Sequence, residues 1–468
     1  MAFNLSELEN IIDNLTTESW IKKDDKNAII EMAGNFAYNL INEDPMRYIH
    51  PNFHNDIYEE VLDMTLLQLK DVYNCNDPCI IEELCDIIED SLKLCFTYVV
   101  PRRSYRNNVS VKPNIDNITV KLNYLKNVPQ PDQRTDEWYQ FRYKYLTASS
   151  IWKAFGTKGV RNQLIYSKCK PLDISKYTGR VNLESPLHWG QKYEDVSIQW
   201  YEREYSTKVD EFGCIPHKTL SFLAASPDGI NTDPTSIRYG RMVEVKNIVN
   251  RDITGIPKLE YWVQMQMQME VCQLNRCDFL ETRFIEYEDY DKFNEDGSFS
   301  LSADFKHKGV MALFFDANSN PYYEYAPLGL TEETYYIWNE ESMNKNMDKT
   351  WLKNIYWKLD EVSVVVVLRN KLWFEAAIPI LEDVWNIIEK ERVTGYSHRA
   401  PNSYKRQKIT HHSIPKLSGC IIEVVKKEES DVEMTDISNT EDNSNNTNLV
   451  LPPKINNLNI KLLDSVIN

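Results

Sequence analysis

The sequence predicts an α/β (α+β) body between an acidic α-helical N-terminal module and a tail poor in apolar residues. Three observations carry this. Residues 4–96 repeat apolar side chains at spacings of three and four. From about Asp136 helical periodicity interleaves with short β-branched and aromatic runs. Beyond Gly395 the composition turns polar and charged.

The N-terminal module reads as helices at "LSELENIIDNL", "IYEEVLDMTLLQLKDVY" and "PCIIEELCDIIEDSLKLCF". Its span is 1–100, and nothing in it suggests catalysis. Residues 101–134, rich in Pro and Asn with arginines at 102, 103 and 106, read as a linker. The body, 135–395, opens with a helix over "EWYQFRYKYLTASSIWKAF" and a second at "WGQKYEDVSIQWYEREY". Strands follow at "FGCIPH", "FLAAS" and "MVEVKNI", then a helix at 257–273 and a strand at "FLETRFIEY". "GVMALFFDA" and "PYYEYAPL" add strands, "TEETYYIWNEESM" a helix, and "WFEAAIPILEDVWNIIEKERV" the last helix. Residues 396–468 read as a largely disordered tail, with a basic "KRQK" at 405–408 that fits a nuclear import signal or a solvated patch equally.

Composition narrows the classes. No stretch approaches the roughly 20 uncharged apolar residues of a membrane span, and the first residues lack a secretory signal, so an intracellular, soluble protein without a membrane partner is expected. Nine cysteines without a repeated Cys-x-x-Cys spacing read as reduced packing residues. The net charge of −17 is concentrated at the ends: residues 1–100 hold 20 acids against 6 bases, and residues 423–445 hold 8 against 2. The intervening body is near neutral and can present a local basic cleft.

The chemistry lies in "FLAASPDGINTDPTSIRYGRMVEVKNIV". Residues two apart on a strand share a face, so Glu244 and Lys246 project together. Asp228 sits in a Pro-Asp-Gly turn that a hairpin would bring near Glu244. Two converging carboxylates repel unless a cation fills the gap, and oxygen donors favour Mg²⁺ or Mn²⁺. Such an ion would activate a water and neutralise charge on a phosphate, with Lys246 steadying the water. On these fragments alone, an ordinary turn and a solvated Glu-x-Lys pair fit as well.

Four pieces taken together, "SPDG" (226–229), "EVK" (244–246), an upstream "GQKYE" (190–194) and a downstream "YWVQMQ" (261–266), resemble the YqaJ-like viral recombinase and lambda-exonuclease group of PD-(D/E)XK nucleases. The resemblance covers roughly residues 130–290, and the composition with its helical N-terminal addition is similar to versions from large DNA viruses of eukaryotes. It implies a restriction-endonuclease-like core, a central mixed sheet flanked by helices, and Mg²⁺-dependent degradation of the 5′ strand at duplex DNA ends, with two ions. Asp228 and Glu244 would be the principal metal ligands, joined by the Val245 carbonyl and Glu194, and Lys246 the catalytic lysine. Without the resemblance, Glu194 reads as a solvated acid on a helix face.

In "YWVQMQMQME" a helix puts Tyr261, Gln264 and Gln268 on one face and Trp262, Met265, Met269 and Cys272 on an apolar stripe. The resemblance assigns Tyr261 and Gln264 to the cleft, Gln264 as a catalytic residue. Arg142 and Ser149, seven residues apart, match the family's receptor for a terminal 5′-phosphate together with Ser226, and Arg251 matches a further phosphate-binding arginine. The expected function is a 5′-to-3′ exonuclease resecting duplex ends for recombination or repair, with a single-strand annealing protein or a second copy of the chain as partners. The alternatives are a structure- or single-strand-specific endonuclease and an inactive DNA-binding recombination partner. A viral enzyme would work in the host cytoplasm or nucleus.

Overall fold

Two parallel strands, β6 (Met242–Asn247) and β7 (Arg276–Glu286), stand inside a seven-stranded sheet of order β2-β5-β6-β7-β10-β8-β9. The other strands are β2 (Val209–Asp210), β5 (Gly229–Asn231), β8 (Lys308–Phe315), β9 (Pro321–Tyr325) and β10 (Thr350–Leu368), and every other pairing in the sheet is antiparallel. The sheet is therefore mixed, as the resemblance implied. The structure is a computed structural model and describes residues 20–106, 112–133, 135–173 and 182–400.

A parallel pair needs cover on both faces. On one face the crossover helix α9 (Leu259–Cys272) packs Met265, Met267 and Met269 with Phe279 of β7 and with Leu381 and Ile388 of α12 (Lys371–Thr394). On the other, α8 (Pro186–Tyr205) packs Tyr193, Val196 and Trp200 against Val243, Val245 and Leu280. The period-two alternation of β6 thus sends its valines to α8 and leaves Glu244 and Lys246 for the α9 side. The far strands are covered by α10 (Tyr290–Glu295) and α11 (Glu332–Lys345), where Phe293 and Tyr335 join Val310 in a separate cluster.

Several elements differ from the sequence reading. The helix expected over 137–155 breaks into α5 (Asp136–Tyr143), a two-residue strand β1 (Leu146–Thr147) and α6 (Ala148–Ile151). Leu146 and Thr147 pair in parallel with β4 (Leu223–Ala225), whose other edge meets β3 (Ile215–Pro216), and this three-stranded sheet overrides the local helical pattern. The hairpin partner of β6 is accordingly β5, not the "FLAAS" strand, with Gly229 opposite Val243. A Cβ at Gly229 would stand 2.2 Å from the Val209 side chain, so only glycine admits β2 this closely. The 19-residue β10 was not assigned from sequence, although Ile355, Trp357 and Leu359 alternate as buried residues within it.

The segment 101–134 does more than link. Tyr105 exchanges both main-chain hydrogen bonds with Val366 of β10, and α4 (Ile115–Asn127) buries Leu122 and Leu125 in the main core. Asn114 caps α4 by accepting the Asn117 amide at 3.1 Å. Before it, α1 (Lys23–Glu43), α2 (Phe53–Leu69) and α3 (Pro78–Val99) pack Ala33, Ala37, Phe53, Ile57, Ile88 and Leu92 together. Their acidic faces leave a core of their own, tied to the body where Asn55 donates to the Phe155 carbonyl at 3.3 Å. The helix expected at residues 5–15, Cys420, the 405–408 cluster and nearly all of the expected tail lie outside the described residues. The eight described cysteines are free, and among the described residues no helix is long and apolar enough to cross a membrane.

Candidate active site

Asp228 occupies the bend between β4 and β5, one residue before the ladder to β6 begins. Its Oδ2 accepts the Val245 main-chain N–H at 2.8 Å, so the side chain substitutes for a strand residue at the end of the ladder. That bond brings Asp228 beside Glu244. Burial, then the Glu244 charge, pushes the Asp228 carboxyl well above the usual range; Lys246 opposes this, Glu194 adds to it, and the Val245 N–H opposes it.

Glu244 is wholly buried. Its Oε1 accepts Gln264 Nε2 at 2.6 Å and the Lys246 ammonium, and its Oε2 accepts Gln268 Nε2 at 2.7 Å. A carboxylate offers about four lone-pair positions, so three donors leave one on Oε2. Desolvation works against the Lys246 charge, yet the Glu244 and Asp228 carboxylates outweigh it and raise its pKa. Lys246 is therefore an ammonium donor. The Tyr261 ring lies 5.0 Å from Lys246 Nζ and 5.7 Å from the Arg251 guanidinium.

A cleft of about 220 Å³ opens onto this centre, lined by Arg142, Ser149, Glu194, Ser226, Asp228 and Gln264 among others. Arg142 donates to Ser149 Oγ at 2.9 Å, and its guanidinium lies 4.1 Å from the Trp138 ring centroid. Ser226 Oγ is buried. A floor hydroxyl that meets no N–H or O–H group, only the weakly bonding Cys214 thiol, suits an anion when it stands beside an arginine fork.

The structure thus brings together ten of the predicted residues in two groups. Arg142, Ser149, Glu194, Ser226, Asp228 and Gln264 share the cleft, while Glu244, Val245, Lys246 and Tyr261 stand behind it on β6 and α9. Arg251 is not among the residues lining the cleft; it pairs with the buried Glu281 of β7, which sits opposite Lys246 in the parallel register. Sequence reasoning left Gln268 out of the site. Its amide joins Glu244 to the Ser226 carbonyl at 3.2 Å, which ties the carboxylate centre to the cleft floor. The helical wheel already placed it beside Gln264. Gln266, two positions earlier, instead donates to the Leu368 carbonyl at 2.9 Å and accepts the Asn370 N–H at 2.6 Å, holding the start of α12.

Among the described residues, no three His, Cys, Asp or Glu side chains form a ready metal cage. The donor set nevertheless fits a hard cation at a pair of carboxylates. Asp228 and Glu244 crowd each other, Asp228 retains its second oxygen and Glu244 one lone pair, and Glu194 is close enough to act on Asp228.

Comparison with known proteins agrees with the motifs. Residues 137–275, which contain every site residue named above except Glu281 and those holding α12, match the family described as the YqaJ-like viral recombinase domain. An uncharacterized protein, R354 of Acanthamoeba polyphaga mimivirus, is 28% identical over 327 residues, a match covering 62% of this chain and 57% of that relative. The chain therefore spans little more than half the length of that relative. Among solved structures, an alkaline exonuclease (LHK-Exo) from Laribacter hongkongensis aligns with a TM-score of 0.32 and 18% identity over 55% of this chain and 94% of its own. A phage-related exonuclease from Haemophilus somnus 129PT aligns with a TM-score of 0.28 and 12% identity, covering 54% and 96%.

Proposed function

We propose that this chain, whose residues 137–275 carry the YqaJ-like viral recombinase match, is a metal-dependent deoxyribonuclease acting as a 5′-to-3′ exonuclease on duplex DNA ends. The observation that carries the reading is the meeting of Asp228, Glu244 and Lys246 at the inner end of a cleft that also holds Arg142, Ser149 and Ser226. One region suits phosphodiester hydrolysis and the other a terminal phosphate.

Held by Asp228, Glu244 and the Val245 carbonyl, with Glu194 available to a second ion, Mg²⁺ or Mn²⁺ would neutralise charge on the scissile phosphate and lower the pKa of a bound water. The chain's own groups do the rest. Lys246, kept protonated by its two carboxylate neighbours, donates to the attacking water or to a phosphate oxygen and is not a base. Gln264 and Gln268 fix the Glu244 carboxylate in one orientation, so its free lone pair points the same way in every molecule. Arg142, held over the Trp138 ring, and the Ser149 and Ser226 hydroxyls receive the 5′-phosphate and set which bond reaches the centre. The product would be a 3′ single-stranded tail, the substrate class of an annealing protein.

A linear duplex carrying a 5′-phosphate at one end and a 5′-hydroxyl at the other, each strand end-labelled, tests this. We expect Mg²⁺-dependent loss of the phosphorylated strand first, and no products in EDTA. Cleavage of closed circles would support an endonuclease instead, and binding without products an inactive recombination partner.

A further inference from the structure

Behind the wall of the proposed phosphate cleft stands a second layer of cations. Helix α7 (Lys158–Cys169) brings Lys168 to the end of α5, where its Nζ donates to the Arg142 carbonyl at 2.9 Å. Helix α12 brings Arg392, which donates to the Lys168 carbonyl at 2.9 Å and to the Tyr143 carbonyl at 3.0 Å. The Arg392 guanidinium lies 4.5 Å from the Tyr143 ring and 5.3 Å from the Trp385 ring. Three helices therefore place Arg142, Lys168 and Arg392 around one helix end. The remaining group acting on Lys168 is the buried Cys214 thiol, which lies beside Ser226 and feels both Arg142 and Lys168.

We propose that Lys168 is a positioning residue of the terminal-phosphate pocket that takes up a proton from solvent when a phosphate dianion binds, so that recognition of 5′-phosphorylated ends is proton-linked. This rests on the reading of Arg142, Ser149 and Ser226 as the phosphate site. The geometry gathers three cations at the end of α5, with the Lys168 ammonium seated on the main chain of the residue whose guanidinium faces the cleft. Burial first, then the Arg142 and Arg392 charges, bring the Lys168 ammonium down to about 7, while Cys214 acts weakly in the other direction. A 5′-phosphate is a dianion above a second pKa of about 6, and its charge restores the lysine's affinity for a proton. Near pH 6.5 Lys168 is already largely charged and binding needs no proton. Above the free-state value each unit of pH weakens binding by up to about tenfold, until the bound-state value is passed.

The test is the ratio of kcat/KM for 5′-phosphoryl over 5′-hydroxyl duplex ends at pH 6.5, 7.5 and 8.5 and constant ionic strength. It is measured for the full chain and for Lys168→Arg and Lys168→Met. In the unaltered protein the ratio should fall by about five- to tenfold between pH 7.5 and 8.5. Lys168→Arg, which does not titrate there, should keep the ratio level. Lys168→Met should give a low ratio at every pH. A level ratio in the unaltered protein, or an unchanged pH dependence in either variant, overturns the proposal. If the unaltered protein shows no preference at any pH, or Arg142→Ala keeps the preference, the phosphate-site reading itself is what fails.

Discussion

Glu244 on β6 and Asp278 on β7 are both wholly buried carboxylates on adjacent parallel strands, yet they are surrounded in opposite ways. Asp278 faces α8 and meets two cations and a hydroxyl: the Arg238 guanidinium, Arg241 at 3.3 Å and the Tyr201 hydroxyl at 2.5 Å. Glu244 faces α9 with one lysine, two amides and a second carboxylate pressed against it. The first arrangement neutralises the carboxylate and anchors the long 232–241 loop to the sheet. The second leaves like charges crowded at the inner end of a cleft, which is where chemistry and not stability explains the residues.

The two regions should respond to mutation in different currencies. Asp278→Ala strands two guanidiniums in the interior and should cost about 3–5 kcal/mol of unfolding free energy in a urea titration, with cleavage per folded molecule retained. If it lost activity without losing stability, the division between the regions would break. Lys246→Ala should lower kcat by roughly 10²–10³-fold while DNA binding, read by fluorescence anisotropy, persists. An unaltered kcat would remove Lys246 from the chemistry.

Asp228→Asn sharpens the contrast, because it should stabilise the metal-free protein by about 1–2 kcal/mol at neutral pH while abolishing cleavage. The sign follows from the raised carboxyl. Stability from the neutral Asp228 is fully present below about pH 4, its unfolded value, and is lost as pH rises through the folded value. The advantage of the asparagine variant in EDTA should therefore be small at pH 4.5 and larger at pH 7.5. A variant no more stable than the unaltered chain at pH 7.5 would mean the carboxylates are not in conflict. The smallest effect is expected for Gln268→Met, which keeps length and loses both hydrogen bonds: kcat should drop about tenfold, near 1.4 kcal/mol, with KM little changed.

Much of this site was legible because it is written in short periods. Period two put Glu244 and Lys246 on one face of β6, and the helical wheel put Gln264 and Gln268 on one face of α9. What could not be read was long-range. The break at Leu146–Thr147 depends on pairing with Leu223–Ala224, 77 residues away by register, and the choice of β5 over β4 as partner for β6 depends on that same small sheet. Nothing in the sequence pattern marks Lys168, because α5 and α12 gather around it only in the fold. The tenancy of Arg251 changed likewise, since its buried partner Glu281 is contributed by the next strand.

The account depends on Asp228 and Glu244 sharing one divalent cation. Titration of Mn²⁺ into the DNA-free protein, followed by the EPR signal of the free ion, measures that directly. The unaltered chain should show saturable binding, weakened at least about tenfold in both Asp228→Asn and Glu244→Gln, as loss of a metal ligand requires. Equal Mn²⁺ affinity in all three proteins would contradict it.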